Sequence, residues 1–110
     1  QHNFHVLDDG ILVFSNERTG VPSRVVEFSL DEENLEASLR WSYTREDNLD
    51  VAILGDVTRR DSGHTHINWA IRGVMEQVNA EGESLWEASV ALSHAFGYSR
   101  LLSDLYPSTD

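Results

Sequence analysis

Phe4-His5-Val6-Leu7-Asp8-Asp9-Gly10-Ile11-Leu12-Val13-Phe14-Ser15-Asn16, continued by Arg24-Val25-Val26-Glu27-Phe28 and Leu39-Arg40-Trp41-Ser42-Tyr43, reads as short strands joined by polar turns. The same grammar returns later in the chain. Asp56-Val57-Thr58-Arg59-Arg60-Asp61-Ser62-Gly63-His64-Thr65-His66-Ile67-Asn68-Trp69 is followed by Arg72-Gly73-Val74-Met75-Glu76 and by Ser84-Leu85-Trp86-Glu87-Ala88. Asp9-Gly10 answers Ser62-Gly63, Arg24 answers Arg72, Glu27 answers Glu76 and Trp41 answers Trp86, at offsets of roughly 45 to 53 residues, a period that belongs to propeller blades. The pattern predicts an all-β chain of two four-stranded antiparallel propeller blades, over about 2–43 and 56–91.

Working outward, Asp8-Asp9-Gly10 supplies a hairpin turn with glycine where positive φ is favoured. Gly20 and Pro22 mark a loop, and Asp31-Glu32-Glu33-Asn34 marks a solvated turn before a fourth strand over 37–43. In the second unit the expected strands are 56–60, 64–69, 72–78 and 84–91. Helix competes over 83–95, which is rich in Ala, Leu, Glu and Ser, but the repeat favours strand at least to Glu87. The apolar tail 98–106 reads as one closing strand, ended by Pro107. A ring needs about four to eight blades. Two blades therefore imply either the remaining blades of a larger chain or self-association that covers the open edges.

Composition narrows the partners. The chain carries 19 Asp and Glu against 8 basic residues, all of them Arg, for a net charge of -11. Nucleic acid and anionic membrane surfaces repel such a chain at long range, and no apolar run approaches the ~20 residues of a membrane span. No cysteine is present, which removes disulfides and thiolate metal sites.

Gln1-His2-Asn3 before an Asp-Gly turn, Leu12-Val13-Phe14-Ser15-Asn16, Ser23-Arg24-Val25-Val26-Glu27-Phe28, Leu39-Arg40-Trp41-Ser42-Tyr43 and Gly82-Glu83-Ser84-Leu85-Trp86-Glu87 together resemble the bacterial arylsulfate sulfotransferase family. The resemblance is to the C-terminal third of a six-bladed propeller. It implies transfer of a sulfuryl group between phenols without a nucleotide donor or other cofactor, and a periplasmic or secreted location. His2 falls where the family places a pocket histidine, and Arg18 falls close to its pocket arginine. A histidine there moves the phenol proton while an arginine fork holds sulfuryl oxygens. The family's nucleophilic histidine has no counterpart: Trp69-Ala70-Ile71-Arg72 stands in its place.

The candidate site is thus His2 and Arg18 for catalysis, with Asn16, His5 and Arg72 as ligand-binding neighbours near strand ends. The ligand expected is a small aromatic or anionic molecule. His64 and His66 share a strand face at i and i+2 and suit zinc, with Asp56 or Asp61 as conceivable third ligands, yet two imidazoles do not make a site and no metal is expected. Glu27 and Glu76, recurring in the repeat, suit a blade-building salt bridge, and Trp41 and Trp86 suit the core between blades. The rival functional reading is a non-catalytic propeller used for binding or assembly.

Overall fold

A computed structural model describes residues 4–18, 20–51 and 54–91. It contains two four-stranded antiparallel sheets, each wound in sequence order. The first holds β1 (Phe4–Val6), β2 (Gly10–Ser15), β3 (Arg24–Asp31) and β4 (Glu36–Tyr43). The second holds β5 (Asp56–Arg59), β6 (Thr65–Asn68), β7 (Val74–Val78) and β8 (Ser84–Ser89). The all-β reading is therefore correct for the described residues. The stretch 83–95 is strand over Ser84–Ser89; His2 and the closing strand expected over 98–106 lie outside the described residues.

Local chemistry sets the turns. The β1–β2 hairpin closes through the Leu7 amide donating to the Gly10 carbonyl at 2.9 Å. Gly10 is required there because a Cβ would collide with the Phe28 carbonyl oxygen on β3. At the β3–β4 turn, Asp31 accepts from the Glu33 and Asn34 amides at 3.1 Å each, an acidic side chain standing in for a backbone partner.

The sheets pack face to face. Leu12, Phe14 and Val25 of the first meet Val57, Ile67, Trp69 and Val78 of the second, all at most 2 % exposed, with Val51 of the linker closing one end. Phe14 and Trp69 sit edge to face, ring centroids 5.4 Å apart at 69°, a geometry aromatic pairs favour. Gly55 (φ 119°) passes so close that any Cβ would strike the Phe14 ring. Tyr43 and Trp41 border this core, and the Trp41 indole donates to the Ala80 carbonyl at 2.9 Å, tying the outermost strand of one sheet to a turn of the other.

Register corrects the repeat. Leu12 pairs with Glu27 and Glu27 with Trp41; in the second sheet Ile67 pairs with Glu76 and Glu76 with Glu87. Glu27 and Glu76 are equivalent, as the sequence indicates. Trp41 and Trp86 are not: Trp86 pairs with Gln77, points to the opposite face and is 41 % exposed, so the buried tryptophan of the second sheet is Trp69. Each outer pairing carries one bulge, near Phe28 in one sheet and Val78 in the other, so these cancel; the connection, four residues over 32–35 against five over 79–83, is what moves the tryptophans out of step. Arg72 likewise does not match Arg24. It ends a 3-10 turn over Ala70–Arg72 that precedes β7, rather than opening the strand.

Candidate functional site

Antiparallel pairing puts the start of β1 beside the end of β2, since Phe4 opposes Val13. The loops beyond that end hold Asn16, Arg18, Ser23, Asp50 and Arg72. Asn16 is buried and its amide donates to the Val51 carbonyl at 2.9 Å and the Leu54 carbonyl at 2.7 Å. Ser23, also buried, accepts from the Val51 amide at 2.8 Å and lies 3.0 Å from the Asn16 carbonyl. These bonds clamp the inter-sheet linker onto the first sheet. Glu17 and Leu54 have left-handed backbones there (φ 58° and 65°), a cost held in place by the clamp.

Each residue expected in the pocket now has a location. Asn16 is a linker clamp whose amide nitrogen is committed to two carbonyls. His5 faces the second sheet, where its Nδ1 accepts from the Arg59 amide at 3.0 Å, which makes it a structural acceptor between sheets. Arg72 is exposed, with Nε donating to the Asp50 carbonyl at 2.6 Å. Arg18 is exposed at the same end as Asn16. The structure thus brings Asn16 and Arg18 to one end of the first sheet, while His5 turns into the inter-sheet seam.

His64 and His66 have other neighbours. The His64 Nδ1 is 3.1 Å from the Gln77 amide nitrogen, and His66 is buried beside Trp86, ring centroids 6.0 Å apart. Burial lowers the His66 pKa, with a smaller push from Arg60. Among the described residues no group of three or more metal-binding side chains is assembled.

The concentrated electrostatics lie between the sheets, around the two recurrent glutamates. Glu27, 5 % exposed, accepts from Arg59 at 2.6 Å and from the Arg40 Nε; Arg40 also pairs with Asp9 at 3.0 Å. Burial pushes the Glu27 carboxyl up, but hydrogen bonds from Arg59 and Arg40 outweigh it and hold the group below the ordinary carboxylate range. Arg59 additionally lies 5.4 Å from the Trp41 ring centroid, in cation–π range. Glu76, 1 % exposed, accepts from the Trp69 indole at 2.9 Å, the Ser84 hydroxyl at 3.0 Å and the Tyr43 hydroxyl at 3.2 Å, with Arg45 at 3.3 Å. Burial, then the Glu76 charge, pushes Tyr43 up to about 12. The sequence reading of the glutamates as ion-pairing framework is correct; their partners Arg40, Arg45 and Arg59 carry no repeat signal and were not legible.

A cleft of about 670 Å³ opens beside Glu76, lined by Tyr43, Arg45, Asp47, Ser84 and Glu87. Its cation is committed: Arg45 contacts Asp47 and Glu87 at 3.0 Å each besides Glu76. Three carboxylates around one guanidinium make this wall unsuited to a sulfate or phosphate. No protein-family model, curated protein or solved structure matches the chain.

Proposed function

We infer that the chain is a pair of propeller-type blades that acts as a binding and assembly module rather than as a self-contained catalyst. The observation that carries this is the two-sided apolar character of the first sheet. Its inner face is filled by the second sheet; on its outer face Val13 and Val26 are buried, whereas toward the turn end the row Val6–Ile11–Phe28–Leu39 crosses all four strands with Val6 66 % and Leu39 57 % exposed. A blade buries both faces against neighbours, and a sheet that leaves an apolar row exposed at one end of a face has surface still to be covered. The committed bonding of Asn16 and His5 points the same way.

The test is direct. Replacing Leu39 and Val6 with Ser should leave the fold intact and lower the binding of a hydrophobic dye or the self-association of the chain. Wild-type behaviour in that variant removes the reading.

Sulfuryl transfer between phenols is the second reading, favoured by one observation: the β1 start and exposed Arg18 lie at the same end of the sheet. On it, Arg18 holds sulfuryl oxygens and His2 moves the phenol proton. Phenyl-sulfate turnover abolished by His2→Ala and weakened by Arg18→Ala would establish it; absence of turnover in the wild-type chain leaves the module reading alone.

A further inference from the structure

We propose that the exposed turn end of the outer face of the first sheet is a docking surface for a cationic amphipathic segment of another protein, one that alternates apolar residues with Lys or Arg. The inference rests on the module reading above and names its partner. It starts from the contrast between the two sheets. The row of the second sheet equivalent to Val6–Ile11–Phe28–Leu39 is Thr58–His66–Gln77–Trp86. The sheet type therefore does not demand four apolar side chains on this face; only the first sheet has them.

The patch continues toward one end. Leu30 lies on the same face two residues beyond Phe28 and is 45 % exposed, and Leu35, at the tip of the β3–β4 turn, is 90 % exposed. At that end the surface is concave, a recess of about 530 Å³ with Val6, Leu7 and Leu30 as apolar walls and Asp8, Asp31 and Glu32 among its acidic ones. Asp9 and Glu33 complete the acidic rim. Among the described residues the cation that approaches it is Arg40, and it is taken by Asp9 and Glu27.

This combination selects the occupant by charge. An apolar surface edged by five carboxylates rewards a partner that buries methylene groups and brings cations to the edge, which the stems and heads of Lys and Arg do together. A second copy of the chain is a poor fit, because it has no lysine, carries a net charge of -11, and would set one acidic rim against another protein of the same sign. The outer face of its second sheet is also the polar row just described.

The experiment uses a labelled synthetic peptide of alternating Lys and Leu, with an all-Lys peptide and an alternating Glu-Leu peptide as controls, followed by fluorescence anisotropy. The Lys-Leu peptide should bind and weaken as salt rises. Val6→Ser with Leu39→Ser should lower its affinity about tenfold, the loss expected from removing several buried methylenes. Asp8→Asn with Glu32→Gln and Glu33→Gln should lower it similarly and flatten the salt dependence. All these positions are exposed, and thermal melting by circular dichroism checks that both variants remain folded. Equal binding of the all-Lys or Glu-Leu peptide, or no effect of either variant, overturns the proposal. Sedimentation showing a wild-type dimer that Val6→Ser with Leu39→Ser dissociates, without peptide binding, overturns the cationic partner but keeps the module reading. A face-indifferent chain in both assays removes both.

Discussion

Replacing Trp69 with Ala is the most decisive perturbation, because sequence periodicity and structure disagree on which tryptophan of the second sheet is core. Trp69 is fully buried, packs edge to face on Phe14 and donates its indole hydrogen to buried Glu76. Truncation should cost about 3–5 kcal/mol through lost transfer energy and a residual cavity. Losing a hydrogen bond to a charged acceptor adds about 1.5–3 kcal/mol where the acceptor finds no substitute; Ser84, Tyr43 and Arg45 remain around Glu76, so the lower end applies. A domain of this size has about 5–15 kcal/mol in total, and Trp69→Ala therefore approaches global unfolding. Trp69→Phe keeps most of the apolar volume and should cost about 2 kcal/mol, a measurable loss in a folded protein. Trp86→Ala should cost no more than about 1 kcal/mol, since that side chain is half in water. Urea unfolding followed by circular dichroism reads all three through the midpoint at constant slope. A Trp86→Ala loss exceeding that of Trp69→Phe would refute the register, and with it the assignment of faces used throughout.

Three further outcomes follow from the ionic framework. Glu27 has a folded pKa below its unfolded one, so its stabilisation is full above about pH 4.3 and fades as pH falls through the lower folded value; Glu27→Gln should flatten that acid limb in a urea titration series and cost about 2 kcal/mol at pH 7. Tyr43 has a folded pKa raised to about 12, so its stabilisation is full below about pH 10 and is lost as pH rises through the folded value; Tyr43→Phe should remove the slope between those limits. His66 is lowered by burial, so stability should decline as pH falls below about 6.5 toward its folded value, and His66→Gln should abolish the decline.

The fold was legible because strand grammar is local. Alternation in Arg24–Asp31 and the polar turns at 8–10 and 31–34 act within a few residues, and they suffice to give four strands per sheet. Matching the two units by residue type was less reliable than matching them by register. Phe14 and Trp69 are equivalent through different residues, while Trp41 and Trp86 are alike and inequivalent, because the turn before the last strand is one residue longer in the second sheet, a difference that composition does not mark. The same slip placed Arg72 at the head of a strand, although Gly73 (φ 67°) follows it and closes the 3-10 turn.

The candidate site was legible only as a list of polar side chains near strand ends, and such a list cannot tell a ligand from a clamp. An asparagine after a strand has the same sequence signature whether its amide meets a substrate or, as for Asn16, the Val51 and Leu54 carbonyls of a linker some 35 residues away. His5 and the amide of Arg59 meet across 54 residues by the same kind of long-range packing. The glutamates escaped this ambiguity because they recur. Burial of a carboxylate in two equivalent places demands cations in two equivalent places, and the fold draws them from wherever an arginine can reach: Arg40 and Arg59 for Glu27, Arg45 for Glu76. Among the arginines, Arg40, Arg45 and Arg59 therefore serve the seam between the sheets, Arg24 and Arg72 serve loops, and Arg18 is exposed at the linker end. With so much of its cationic charge bound internally, the chain presents acid to its surroundings, and the exposed apolar row of the first sheet sits within that acid. The proposed cationic amphipathic partner is the one that both properties together would select.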